Sequence, residues 1–256
     1  MKIGFIGTGY IAKSVITGIL GSKLKINKIF ISQRNKKISN FLSKKSGKIV
    51  IINNNQEIIN RSNWVFLSVT PKVGNNILKC LNFKSNQTIV SFISTIIMSQ
   101  LKKYIKVKAK IVRAIPLPPI SLRKGPVPIF PPNKKVKNFF NKLGTTVEIE
   151  NEKLSKNFWA TSGMYASFYE LLSTMSNWLV KRGIKRDKAQ KYITSLFVAL
   201  SENAIVNSKK DLKHLVKDSQ TPRGLNEQGV KELRKAGFYR LTEKTLNSIL
   251  KRLNKV

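Results

Sequence analysis

Gly7-Thr8-Gly9-Tyr10-Ile11-Ala12 follows a short apolar run, Lys2 to Ile6, and opens a stretch with helical spacing from Ile11 to Leu20. Small residues in a G-x-G-x-x-A pattern between a strand and a helix form a cradle for a dinucleotide. Gly7 permits the tight turn, Gly9 lets backbone amides approach a pyrophosphate, and Ala12 lets helix and strand pack closely. The helix N-terminus adds favourable charge for the phosphates. All six residues, Gly7, Thr8, Gly9, Tyr10, Ile11 and Ala12, are candidate cofactor-binding positions. The competing reading, a glycine-rich turn with no ligand, is weakened by the strand before and the helix after. A P-loop is excluded because Lys13-Ser14 comes three residues too late in the pattern.

Specificity for NAD asks for a carboxylate at the end of the second strand, about 20 residues beyond the glycines. Ser32, Gln33, Arg34 and Asn35 stand there, and the first acidic residue of the chain is Glu57. Hydroxyl, amide and guanidinium groups suit a 2′-phosphate, so NADP(H) is expected in preference to NAD(H). The alternative is that Arg34 and its neighbours are a solvated strand end.

The elements that must hold these groups can be read from periodicity. Strand-like runs occur at Lys2–Ile6, Lys28–Ser32, Ile49–Ile52, Trp64–Val69, Thr88–Phe92, Ile111–Ala114, Val127–Phe130 and Thr145–Ile149, most of them separated by helix-length segments. This alternation predicts a doubly wound parallel sheet over residues 1–151. Pro116 to Pro132 is proline-rich and is expected to avoid helix interiors and central strands. From residue 152 to 256 the chain reads as all helix. Leu154 to Val180 carries Phe158, Trp159, Tyr165, Phe168, Met175 and Trp178, which predicts one helix apolar on most faces and in need of a second subunit as cover. Gly183 ends it, Asp187 is the expected N-cap of the next helix, and Thr221-Pro222-Arg223-Gly224 breaks the chain before a short helix towards Ala236. No internal repeat is present.

Composition narrows the function classes. The chain has 256 residues, 41% hydrophobic, which is enough for a packed core and unlike a disordered chain. One cysteine, Cys80, and one histidine, His214, exclude a disulfide framework and a Cys/His metal site, and no metal is expected. Cys80, spaced with Ile77 and Leu81, reads as core; His214, flanked by lysines, reads as inert surface. The single thiol and the lack of any ~20-residue apolar run point to a cytoplasmic protein without a membrane span. The net charge of +36 suggests a nucleic-acid binder. Against that, only ten of the 48 basic residues are Arg, and the lysines are dispersed in an Asn- and Ile-rich chain. No specific nucleic-acid partner is expected, and that class remains the alternative to an enzyme.

Over nearly its whole length the chain resembles the pyrroline-5-carboxylate reductase family. Met1 to Leu20 is similar to the family's opening segment, Val69-Thr70-Pro71-Lys72 to its A-V-K-P turn, Arg113 to Pro119 to its R-x-M-P-N-T-P loop, and Thr221 to Gly229 to S-P-G-G-T-T-x-x-G. The resemblance implies a Rossmann domain followed by an all-helical dimerisation and substrate domain, a homodimer or a higher oligomer of dimers, and hydride transfer from NAD(P)H to a small cyclic imine acid. It places Val69, Thr70, Pro71 and Lys72 at the cofactor. It places Pro116, Leu117, Pro118, Arg223, Gly224, Leu225, Asn226 and Glu227 at the substrate, and it makes Asn226, Tyr165 and Ser162 the candidate catalytic residues. The departures lie on the substrate side: Leu117 and Pro118 replace Asn and Thr, Arg223 replaces a Gly, and Leu225 and Asn226 replace two Thr. A guanidinium can hold a carboxylate bidentately, so Arg223 either substitutes for the lost hydroxyls or faces solvent. Glu227 meets substrate or is only a charge at a helix start, and Tyr165 donates a proton or only packs. Reduction of a C=N bond needs orientation, a dry pocket and one proton, so no paired carboxylates are required. A hydroxyacid or other oxo-acid dehydrogenase on the same fold is the second enzyme reading; the glycine pattern expected around its lysine is missing at Lys153 and Lys156.

Overall fold

The computed structural model describes residues 1–254, and the chain forms two compact units, Met1–Ser155 and Lys156 onward. In the first, eight strands and six helices alternate: β1 Lys2–Ile6, α1 Tyr10–Leu20, β2 Lys28–Ser32, α2 Lys36–Ser43, β3 Ile49–Ile52, α3 Asn55–Arg61, β4 Trp64–Leu67, α4 Pro71–Ile77, β5 Thr88–Ser91, α5 Met98–Tyr104, β6 Lys110–Ala114, β7 Pro126–Phe130, α6 Lys134–Phe140 and β8 Thr145–Glu148. The strands form one sheet in the order β3-β2-β1-β4-β5-β6-β7-β8. Their continuous Ile/Val runs suit a sheet covered on both faces. One face packs Val15, Ile16 and Ile19 of α1 with Leu42 of α2 and Val136, Phe139 and Phe140 of α6. The other packs Ile58 and Ile59 of α3 with Leu101 of α5. Because β1 lies between β2 and β4, the winding reverses there, which leaves a crevice at the carboxyl ends of the strands.

The doubly wound parallel sheet agrees with the sequence reading, and one expectation, that prolines avoid central strands, needs correction. All pairs are parallel except β6–β7, which is antiparallel, and β7 is an interior strand although it contains Pro126 and Pro128. Carbonyls of Gly125 and Ile129 accept from Thr145 and Ile149 on the β8 side, so the prolines direct their missing donors towards β6. There the ladder is confined to Arg113↔Phe130 and Ala114↔Ile129, and Pro128 contributes only a carbonyl, which accepts from Ile115 N–H at 3.2 Å. Cys80 also departs from expectation: it is exposed, because a 3-10 turn at Leu78–Cys80 rotates Leu78 inward instead.

After a 3-10 turn at Glu152–Leu154, the helices are α7 Ser155–Ser162, α8 Tyr165–Val180, α9 Arg186–Val206, α10 Lys213–Asp218, α11 Leu225–Lys235 and α12 Phe238–Asn254. The expected single helix from Leu154 to Val180 is interrupted at Gly163-Met164. Gly163 packs so tightly that an added Cβ would lie 3.2 Å from the Ile249 side chain of α12. Gly183 ends α8 with φ +88°, as its lack of a Cβ permits. Lys185, not Asp187, is the N-cap of α9, and Asp187 lies within the first turn, where its charge suits the helix dipole. Among the described residues after Ser155, the buried apolar side chains are Ala160, Ala189 and Ile193 alone. Trp178 is 54% exposed and Val206 82%. No helix is long and apolar enough to cross a membrane, and no cluster of three metal-ligating side chains occurs among the described residues.

The 3-10 segment Pro118–Leu122 lies against α1 at Gly18, where a Cβ would come 2.4 Å from the Ile120 carbonyl oxygen. Alanine in a helix gains about 1 kcal/mol over glycine, but overlap with a backbone atom costs about 1–3 kcal/mol. Gly18→Ala is therefore expected to lower stability in urea denaturation.

Candidate cofactor cleft and substrate turn

Gly7 adopts φ +93°, and a side chain there would meet Val69 Cγ1 at 2.5 Å and the Ser68 carbonyl at 2.6 Å. Its N–H donates to Ser32 Oγ at 3.1 Å, and Thr8 Oγ1 donates to the Ser32 carbonyl at 2.7 Å. Ser32 is buried, and its hydroxyl ties the β1 turn to the end of β2. Ala12 is fully buried against the sheet, Ile11 is half-buried, and Tyr10 is 79% exposed at the first position of α1. No side chain caps α1, and nothing lies within 4 Å of where a Cβ on Gly9 would stand. The first-turn amides therefore face open space at the positive end of the helix.

This turn borders a cleft of about 510 Å³ lined by Gly7, Thr8, Gly9, Arg34, Asn35, Lys36 and Ser68 to Thr70. An adjoining hollow of about 330 Å³ adds Ser32, Gln33, Asn53, Asn55, Val73 and Ile77. The ionisable residues lining both are cationic, Arg34 and Lys36. Asn35 caps α2 by accepting from Ile38 N–H at 3.1 Å, which fixes Arg34 and Lys36 on either side of that cap. An open glycine cradle, an uncapped helix and two cations without a carboxylate fit the phosphates of a nicotinamide dinucleotide. Thr70 is the N-cap of α4, Pro71 its first residue, and Lys72 is exposed beyond the cleft. Asn53, Asn55, Val73 and Ile77 escaped sequence reasoning. The run Asn53-Asn54-Asn55 at the end of a parallel strand was the available signal.

Arg113 enters the sequence reading only as the start of the R-x-M-P-N-T-P resemblance, with no role assigned to it. It is 2% exposed, pairs through Nη1 with Glu152, and donates through Nη2 to the Ser94 carbonyl. Glu152 Oε1 also accepts from Met98 N–H at 2.8 Å. Burial lowers the pKa of the Arg113 guanidinium, and the Glu152 carboxylate partly opposes that shift. Beyond β6, Pro116 is buried, Leu117 half-buried and Pro118 exposed.

In the helical unit, Ser162 Oγ donates to the Phe158 carbonyl at 3.0 Å. The Tyr165 and Tyr169 hydroxyls are 3.0 Å apart, and that hydrogen bond, reinforced by burial, pushes the Tyr165 phenol up to about 12. Asn226 Nδ2 donates to the Ser219 carbonyl at 2.8 Å, which closes the 219–226 turn. No hydrogen bond joins Ser162, Tyr165 and Asn226 among the described residues. Arg223 adopts φ +62°, and its N–H donates to Glu227 Oε2 at 2.7 Å while Glu227 Oε1 pairs with Lys231 at 2.8 Å. Lys231 first, then the Arg223 N–H, hold the Glu227 carboxyl below the usual carboxylate range. Gly224 is the N-cap of α11; a Cβ there would come 2.1 Å from Thr221 Oγ1. Leu225 is 86% exposed. His214 is half-buried, with Nδ1 against the Asp211 carbonyl.

Two family models match in tandem: residues 2–95 fit "NADP oxidoreductase coenzyme F420-dependent" and residues 152–256 fit "Pyrroline-5-carboxylate reductase dimerisation". Pyrroline-5-carboxylate reductase of Pseudomonas aeruginosa is 25% identical over 267 residues, covering 98% of this chain and 95% of the relative. These matches support the pyrroline-5-carboxylate reductase family for this chain. The fold agrees. The crystal structure of 1-pyrroline-5-carboxylate reductase from Streptococcus pyogenes superposes with TM-score 0.83 at 21% identity, covering 100% of this chain and 99% of the other. That of Plasmodium falciparum pyrroline carboxylate reductase, solved with NADP bound, gives TM-score 0.81 at 20% identity, with coverage of 99% and 97%.

Against the S-P-G-G-T-T turn of the pyrroline-5-carboxylate reductases, the left-handed Arg223 has a simple meaning: it occupies a conformation that glycine adopts without strain. A non-glycine residue there costs about 1–2 kcal/mol. Arg223→Gly is expected to raise stability by about 1 kcal/mol, after the greater chain entropy of unfolded glycine is subtracted. A higher urea midpoint at unchanged m-value would show it.

Proposed function

We propose that this chain is an NADPH-dependent reductase of a cyclic imine acid, with pyrroline-5-carboxylate as its first substrate. The observation that carries the reading is the Gly7–Gly9 cleft, whose ionisable lining residues are cations, in a chain of this family. Bound NADPH supplies the hydride. The amides of the Gly7–Gly9 turn and the start of α1 hold the pyrophosphate, and Arg34 and Lys36 hold the 2′-phosphate. Thr70 and Val69 wall the side of the cleft towards β4. A phenol near 12 is a weak acid, so Tyr165 fits a packing role, and an imine that arrives protonated needs no side-chain donor. In the helical unit, the Arg223 guanidinium is the group suited to hold a substrate carboxylate.

The helical unit lacks the interior to cover its own apolar groups, since only Ala160, Ala189 and Ile193 are buried there among the described residues. A second copy of this chain is the proposed cover, because each large side chain removed from water contributes about 1.5–3 kcal/mol. The exposed Cys80 thiol suits the reducing cytoplasm. The dispersed lysines are read as solvated surface charge with no specific nucleic-acid partner.

Fluorescence titration is expected to show tighter binding of NADPH than of NADH, with Arg34→Ala weakening NADPH selectively; the reverse preference overturns the assignment. In a panel of cyclic imine acids and oxo acids, NADPH oxidation should follow the imines. Turnover of oxo acids alone would favour the dehydrogenase reading.

Sedimentation at low concentration should detect a dimer, and a stable, active monomer of 29.0 kDa would refute it. Trp178→Asp, which puts a charge on an exposed apolar helix, should yield insoluble or inactive protein.

A further inference from the structure

We propose that Glu152 is a positioning residue for the β4-side wall of the cofactor cleft, acting through Arg113 and the segment Ser94 to Met98. The inference rests on the dinucleotide reading of the Gly7–Gly9 cleft. Both ends of that segment are held by one ion pair. Arg113 donates to the Ser94 carbonyl, and Glu152 takes the Met98 N–H at 2.8 Å. Met98 opens α5, whose N-cap, Ile97, has no side chain able to accept, so Glu152 acts as a remote cap. The same carboxylate compensates the buried Arg113 charge.

What the pair holds bears on the cleft. Ile93 and Ile96 are each 2% exposed. Their Cδ1 atoms fill the notch at Gly74 of α4, lying 2.9 and 3.1 Å from where a Cβ would stand. Val69 Cγ2 is 3.5 Å from the same point, and Val69 Cγ1 closes on Gly7 from the other side. A continuous packed line therefore runs from Glu152 through Arg113, Ser94, Ile93 and Ile96 to Gly74, Val69 and Gly7. Val69, with Val73 and Ile77 on either side of Gly74, lines the same hollow as Arg34 and Lys36, where the adenosine half of a dinucleotide lies. Glu152 thus bears on the wall against which that half packs.

Two variants perturb opposite ends of the line. Glu152→Gln keeps an acceptor for Met98 but leaves Arg113 uncompensated, and Gly74→Ala fills the notch without touching a charge. Each is expected to weaken both NADPH and 2′,5′-ADP, which carries only the adenosine half, about tenfold, equivalent to about 1.4 kcal/mol. Amide hydrogen exchange in the Ser94–Met98 segment should accelerate in both. Arg34→Ala, as control, should weaken both ligands with exchange in that segment unchanged. Unchanged affinity for both ligands in Glu152→Gln and Gly74→Ala overturns the proposal, as does weakening without accelerated exchange. Should Glu152→Gln fail to fold, Gly74→Ala decides by the same two measurements. Wild-type protein that binds neither ligand would instead refute the cofactor reading, and this inference with it.

Discussion

The first unit is organised around one buried charge. Arg113 sits at 2% exposure in a sheet rich in Ile, Val and Phe, where an uncompensated guanidinium would be unfavourable by several kcal/mol. The Glu152 carboxylate makes it tolerable. Such a pair contributes little net stability compared with two apolar residues of the same size, and its value is in specifying geometry. It joins β6, the segment after β5, the start of α5 and the last turn before α7. Those pieces are distant in sequence, and no periodic apolar pattern would bring them into register.

A second constraint acts at the other end of the crevice, where Ser32 joins two adjacent strands through Gly7 N–H and Thr8 Oγ1. The hydroxyl satisfies a buried donor in a turn that has no ladder partner. With the turn held from below, its upper surface stays free of side chains, which is what a pyrophosphate requires. Arg34, two residues on, then reaches the cleft because Ser32 points inward and α2 begins beyond it.

The two units use apolar residues differently. The sheet buries its Ile and Phe side chains within the chain, as in the stack of Phe5 on Phe66 at 4.6 Å. The helical unit leaves Trp178, Tyr192, Val198 and Leu200 largely exposed. This difference separates a part that folds around its own core from a part that leaves most of its large apolar side chains uncovered within the chain.

By itself the sequence determined the strand and helix order of the first unit, the glycine turn and the cationic end of β2, because period-two and period-3.6 patterns and backbone-demanding glycines are local properties. It also determined that the second half is helical. Its motifs sufficed for the family assignment. Tertiary structure alone decided which way those side chains turn. Ser32 proved to be a strut, Cys80 faces solvent, and Pro128 entered an interior strand because its missing donor meets a ladder that has already ended. The Arg113–Glu152 pair could not be read in advance, since it depends on contacts between segments tens of residues apart. The interruption at Gly163 and the close packing of Ile249 against it were equally hidden. Local chemistry is written in spacing, whereas burial and pairing arise only when the elements are packed.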